Sequence, residues 1–225
     1  MKKTVLFLFF HLTLILCLPA QENISGATGI SVLRNFSPDQ NFTALGHTVQ
    51  AMVHFTPKES AYAWVEYYTE GGFKNNFTAT AKSALTQPQR IAVQATGRLT
   101  YRHFSIGWRH YFKGGYAEEK EVSIYGLAGF GFLFGKVRNQ FSTNTIDTTQ
   151  YSIGTRAGEG NVRKLTFDVG IGAEKLLGGQ IYAFADVRSW LPASSNPSPY
   201  LHNQRNVPLP VMLAAGVRVV FRSVE

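Results

Sequence analysis

The sequence predicts an all-β protein: an eight-stranded antiparallel up-and-down transmembrane β-barrel, preceded by a cleaved signal peptide. Three observations lead there. Apolar residues recur at every second position in eight separate segments, the connections between them alternate between short and long, and no apolar run beyond residue 20 reaches the roughly 20 residues that a spanning helix needs.

Residues 1–20 form the signal peptide, with Lys2 and Lys3, an apolar run from Val5 to Leu18, and Pro19-Ala20 before polar Gln21. Cys17 leaves with it. It is the only cysteine, so the exported chain has no disulfide, thiol nucleophile or thiolate metal site. Leu16 stands before Cys17 where a lipoprotein signal requires a small residue, so acylation is not expected. Losing Lys2 and Lys3 lowers the formal charge of +8 by two. The remaining excess suits anionic surfaces, and export together with the lack of a phosphate loop or basic run argues against nucleic acid. No Pro/Ser linker divides residues 21–225, which read as one domain.

The eight strands are expected at about 26–36, 44–55, 61–70, 98–112, 121–137, 163–175, 180–191 and 209–222. In the first and third the facing is undecided, Arg34 being awkward on either side. The second puts Leu45, His47, Val49, Ala51, Val53 and Phe55 opposite Gly46, Thr48, Gln50 and Met52. In the fourth, Phe104, Ile106, Trp108 and Phe112 alternate with Ser105, Gly107, Arg109 and Tyr111. The fifth contains YGLAGFGFLFG, with Phe130, Phe132 and Phe134 on one face and Gly129, Gly131, Leu133 and Gly135 on the other. Glycine weakens an ordinary strand unless something approaches closely, so this segment predicts lipid on the Phe side and a crowded interior on the Gly side. The sixth sets Phe167, Val169 and Ile171 against Asp168, Gly170, Gly172 and Glu174. In the seventh Ala185 and Val187 oppose Asp186 and Arg188; in the eighth Val217, Val219 and Phe221 oppose Gly216, Arg218 and Arg222.

Short connections at 56–60, 113–120 and 176–179 alternate with longer polar ones at about 36–44, 71–97, 138–162 and 192–208, which segregates them to opposite ends of a barrel. Trp64, Tyr67, Tyr68, Tyr111, Phe112 and Trp190 lie near the expected strand ends, where an aromatic girdle would sit. A soluble lipocalin-like barrel would turn its apolar face inward and its charges outward. Here the charges share a face with glycines, which suits a narrow interior.

Over about Ser25 to Phe221 the chain resembles the small eight-stranded outer-membrane barrels of Gram-negative bacteria, the OmpA/OmpX-type and "outer membrane protein beta-barrel domain" families. The resemblance implies residence in the cell outer membrane, contact with outer-membrane lipid and lipopolysaccharide, and insertion by the barrel-assembly machinery. Members usually end on an aromatic residue read by that machinery; here Phe221 is followed by four more residues.

Two constellations carry chemistry. Glu66, Asp168, Glu174 and Asp186 share the expected lumen face with Arg109, Arg188, Arg218 and Arg222, and a mutually paired plug is favoured over a water-filled passage because eight strands enclose little more than side chains. Asp168 falls within one pair of Asp186 or Arg188, with Arg218 on the next strand. The second constellation is His103 and Ser105 in YRHFS. Two apart, they share a strand face as a base and a hydroxyl nucleophile would. The pair is similar to the His-x-Ser arrangement of the lipid A deacylases, although Ile106 and Gly107 stand where that family has Asn and Ala. No spacing of His47, His54, His110 or His202 suggests a metal, and no cofactor is expected. The chain reads as a structural or surface-interaction barrel contacting an extracellular ligand through its loops; a small-solute pore and a lipid A-modifying hydrolase are the alternatives.

Overall fold

The computed structural model describes residues 23–36, 41–141, 146–193, 200 and 210–221. The signal segment 1–20 with Cys17, and also His202 and Arg222, lie outside the described residues. The strands are β1 (Asn23–Asn35), β2 (Phe42–His54), β3 (Glu59–Ala81), β4 (Arg90–Lys113), β5 (Ser123–Phe141), β6 (Tyr151–Ser152), β7 (Gly158–Gly178), β8 (Ile181–Pro192) and β9 (Pro210–Phe221). Setting aside the two-residue β6, each barrel strand pairs antiparallel with its chain neighbours, and β1 pairs with β9 from Ile24↔Phe221 to Asn35↔Pro210. Eight strands thus close on themselves. Closure leaves no sheet edge where all eight strands run side by side; edges remain on β3 beyond Tyr68 and on β7 before Thr166, where the neighbouring strands stop.

The strands obey the alternation that built them. Ile30, Leu45, Val49, Ile106, Phe130 and Leu213 are exposed on the outside, while the residues between them are buried. In β1 and β3, whose facing the sequence left open, Ser25, Ala27, Ser31 and Leu33 point inward, as do Tyr62, Trp64, Glu66 and Tyr68. Arg34 faces out and donates through Nη1 to Thr43 Oγ1 at 2.7 Å.

Two expectations are corrected. The segment 71–97 is mostly a hairpin rather than a loop: β3 and β4 stay paired from Gly71↔Leu99 to Thr80↔Arg90, interrupted only by a bulge between Tyr68 and Gly71. Similarly β5 runs to 141 and β7 starts at 158. Alternation continues here, but the outward positions are Lys74, Asn76, Thr78 and Thr80, so the apolar signal fades where the outer face turns polar. At about 3.3 Å per residue, the 24 residues of β4 far exceed the 9–11 that a tilted strand needs to span. The barrel is therefore tall on its β3–β4–β5–β7 side and short on its β1, β2, β8 and β9 side.

The second correction concerns the aromatic girdle. Trp64, Tyr68, Tyr111 and Trp190 are buried in the lumen; only Tyr67 and Phe112 of the expected set are outside. Nearness to a strand end was a poor guide because register, not height, decides the face. Phe55 and Trp108, stacked at 5.2 Å, supply an outer aromatic contact at the short-turn end.

Candidate functional site

The lumen is the most highly organised part of the molecule. Two apolar layers fill it: Leu33, Phe42, Tyr68, Leu99, Val137 and Trp190 toward the long-loop end, and Met52, Tyr62, Tyr111, Tyr125, Leu127 and Phe184 toward the short-turn end. Buried charges lie among them. Because a strand's lumen positions recur every second residue, each charge occupies a slot set by register.

Near the turn end, Glu174 on β7 holds two guanidiniums. It accepts from Arg218 Nε at 3.0 Å and lies 3.4 Å from Arg109 Nη1, while the Tyr111 hydroxyl donates to its Oε1 at 2.9 Å. Arg109 also donates to Gln50 Oε1 at 3.2 Å. Higher up, Arg188 bridges Glu66 at 3.0 Å and Asp186 at 2.6 Å, and Tyr125 donates to Asp186 at 3.2 Å. Each guanidinium also lies over a ring: Arg188 on Trp64 at 4.2 Å, Arg109 on Tyr125 at 4.0 Å and Arg218 on Tyr182 at 4.4 Å. Cation–π contact of this kind is strongest when desolvated. Arg218 thus pairs with Glu174, two strands away and nearly level with it, rather than with Asp186 on the adjacent β8.

Asp168 belongs to a third group. Its Oδ1 is 3.4 Å from His103 Nε2, and His103 Nδ1 is 3.6 Å from Glu66 Oε2. Hence the four lumen carboxylates meet three guanidiniums and one imidazole. The sequence reading missed His103 as a member, having treated it as a catalyst; its inward register beside Glu66, to which it is paired across β3 and β4, was the available signal. The glycine face of β5 has its reason here. A Cβ on Gly131 would lie 2.3 Å from His103 Nε2 and 2.7 Å from Asp168 Oδ2, so only glycine lets this group rest on the strand.

The His103/Ser105 pair is not assembled for hydrolysis. His103 Nε2 is hydrogen-bonded with Thr166 Oγ1 at 3.0 Å, whereas Ser105 donates to the Phe130 carbonyl at 3.2 Å. Both side chains are buried in the lumen, with the barrel wall between them and any acyl chain. A base–nucleophile contact is what such a mechanism would require.

At the turn end the 114–122 connection folds across the mouth. The Tyr116 ring stacks on His54 at 4.1 Å, its carbonyl accepts from Arg218 Nη2 at 2.6 Å and its amide donates to the Pro57 carbonyl at 3.0 Å. His54 in turn is hydrogen-bonded with Ser25 at 2.8 Å and Ser60 at 2.6 Å. At the loop end, β6 adds to the projecting hairpin through Thr80↔Ser152 and Ala81↔Tyr151. Lys82 donates to the Thr148 carbonyl at 2.8 Å, and Tyr151 to the Pro88 carbonyl at 3.0 Å. Asp147 accepts from the Thr149 hydroxyl and amide, which holds its carboxyl below the usual carboxylate range and fixes the turn. A concavity lined by Lys82, Asn139, Phe141, Tyr151, Thr155 and Arg156 results.

Of the expected lipid-facing residues, Phe104, Ile106, Trp108, Phe130, Phe132, Phe134, Val217 and Phe221 are exposed outside the barrel, and Phe167, half-buried, packs on Phe130 with ring centroids 5.4 Å apart. Among the described residues no His/Cys/Asp/Glu group is arranged to hold a metal ion.

No protein-family model and no curated protein matches the sequence. The fold is similar to that of the outer membrane protein OprG from Pseudomonas aeruginosa, with a TM-score of 0.50 and 10% identity over 90% of this chain and 97% of that one. The N-terminal β-barrel domain of OprF from the same organism gives a TM-score of 0.48 at 13% identity, over 89% of this chain and 100% of that one. Neisserial surface protein A gives 0.48 at 12% identity, over 90% and 98%.

Proposed function

We infer, from a barrel with the fold of the small outer-membrane proteins, that this protein is an integral outer-membrane barrel, exported through its signal segment. Its role on this reading is structural and surface-interacting rather than transport. The observation that carries this is the combination of an exposed apolar exterior with an interior in which Glu66, Glu174 and Asp186 are paired with Arg109, Arg188 and Arg218. Water-soluble barrels reverse that arrangement. Within the span, Ile30, Val49, Phe130 and Leu213 supply the outer band. Buried Arg–carboxylate pairs and three ring contacts supply the plug.

The projecting β3–β4 hairpin, β6 and the 146–157 segment then form the surface platform. Its concavity mixes Lys82 and Arg156 with Phe141 and Tyr151, a lining suited to an extracellular ligand bearing both negative charge and apolar surface. The small-solute pore would require the Arg188–Glu66 and Arg218–Glu174 pairs to part, and the hydrolase would require His103 to reach Ser105 and lipid.

Planar-bilayer conductance of the refolded barrel tests this, its folding first shown by a different gel mobility when unboiled. The expected result is no discrete conductance steps. Stable steps altered by Arg218→Ala or Asp186→Ala would overturn the plug in favour of the pore.

A further inference from the structure

The outer wall carries a basic cluster at one height and on one side. Arg102 on β4, Phe134 on β5 and Arg163 on β7 are direct neighbours across three adjacent strands. With strands about 4.8 Å apart, the two arginines stand on either side of Phe134, roughly 10 Å from backbone to backbone. Lys136 lies two residues farther along β5 toward the loops, on the same face. One row higher, Arg98 pairs with Arg138 and Arg138 with Glu159.

These cations are not equally engaged. Glu159 takes up Lys136 at 2.7 Å and Arg138 at 2.5 Å, and Glu70 takes up Arg98 at 3.2 Å. Among the described residues no carboxylate lies within ion-pair distance of Arg102 or Arg163. The Arg102 guanidinium carbon instead lies 5.6 Å from the centre of the Tyr67 ring, a contact that rests the flat face of the fork on the wall and takes up no carboxylate. Directly on the turn side of this cluster come Phe134, Phe132, Phe130, Phe104 and Leu165, all exposed. Elsewhere cations are sparser on the outer wall: among the described residues β8 and β9 expose Val187, Leu191, Leu213 and Val217 with no outward Arg or Lys, and β1, four strands round from β5, carries Arg34 as its one outward cation, hydrogen-bonded to Thr43.

We propose that Arg102, Arg163 and Lys136 form a clamp for the phosphate of an anionic lipid in the leaflet at the loop end, with its acyl chains lying on the Phe130, Phe132 and Phe134 row. The chemistry fits on both halves. Guanidiniums bind phosphate oxygens through paired, charge-assisted hydrogen bonds, and two forks flanking one ring can share a single phosphate. Phenylalanines in line below give the chains a surface continuous with the headgroup site. Lys136, shared with Glu159, adds a third cation from the loop side.

The inference rests on the membrane reading above. The test uses the exported chain refolded in neutral detergent micelles and followed by native mass spectrometry. Diphosphorylated lipid A, phosphatidylglycerol or inorganic phosphate is added. The wild-type protein is expected to retain one lipid A, and Arg102→Gln/Arg163→Gln to weaken retention about tenfold or more, the loss anticipated for removing charged hydrogen bonds. Arg90→Gln, at the far tip of the β3–β4 hairpin opposite Thr80, is expected to change nothing. Should the double variant refold poorly, Arg163→Gln alone serves. Equal retention by wild type and variant would overturn the clamp, and displacement of lipid by millimolar inorganic phosphate would reassign it to a free anion. A wild-type chain that fails to insert into micelles at all would instead remove the membrane reading.

Discussion

Glu174→Gln should destabilise the folded barrel by about 3–5 kcal/mol, the cost of breaking a buried ion pair from one side. The substitution keeps the shape and removes the charge that faces Arg218 and Arg109, both almost fully buried. Two guanidiniums then share a site with no carboxylate to compensate them. Glu121 is the internal control. Its pair with Lys113, at 2.8 Å, is exposed on the turn, where solvent screens it. Glu121→Gln should therefore leave stability essentially unchanged. Urea unfolding in lipid vesicles, read from the fraction that retains folded gel mobility, compares the two. Equal effects would mean that the lumen is wet enough to screen its charges, contrary to a plug.

Phe130→Arg should cost about 2–4 kcal/mol, as expected of a charge placed on a barrel's lipid face near the middle of the span. Phe130 lies midway between Ile124 and Lys136, the outward residues that bracket the apolar stretch of β5, and it is 66% exposed. In water an exposed Phe→Arg change would be nearly neutral or favourable. The sign of this result thus distinguishes lipid from solvent outside the wall. The same vesicle unfolding measurement reads it.

Period-two alternation was the part of the fold legible in the sequence, and it worked best where an apolar outer face backed a tightly packed inner one. In β5 Phe130, Phe132 and Phe134, and opposite them Gly129, Gly131 and Gly135, went to their expected faces because both faces were constrained. Above the apolar band only the inner face remained distinctive, so Phe73, Ala79, Val93 and Ala95 marked buried positions while Lys74, Thr78 and Gln94 looked like loop. Backbone hydrogen bonding carried the strands on regardless. For the site, alternation sufficed to collect Glu66, Arg109, Asp168, Glu174, Asp186, Arg188 and Arg218 in one interior. It did not reveal which partner each would take, since that depends on stagger around the barrel: Glu66 and Arg188 are 122 residues apart and meet only after closure. Nor could the His103/Ser105 spacing in YRHFS disclose that His103 would be drawn to Asp168 and Thr166 on β7. Trp64 escaped notice as a cation partner because its position near a strand end suggested an outer girdle, and Tyr125 and Tyr182 because alternation gives a residue's face and not its contacts.

The most direct test of the central claim, a membrane-spanning barrel with its phenylalanines in lipid and its charges sealed inside, is a single-cysteine scan along β5. The exported chain carries no cysteine once Cys17 leaves with the signal segment, so single cysteines would be placed at 128, 130, 132, 134, 136 and 138 and at inward Leu127, Leu133 and Val137, each labelled in vesicles with an environment-sensitive probe challenged by lipid-borne and water-soluble quenchers. The account predicts that 128, 130, 132 and 134 respond to the lipid quencher alone, that the inward positions respond to neither, and that 136 and 138 respond to the aqueous one. Aqueous quenching at 130 and 132 would contradict it.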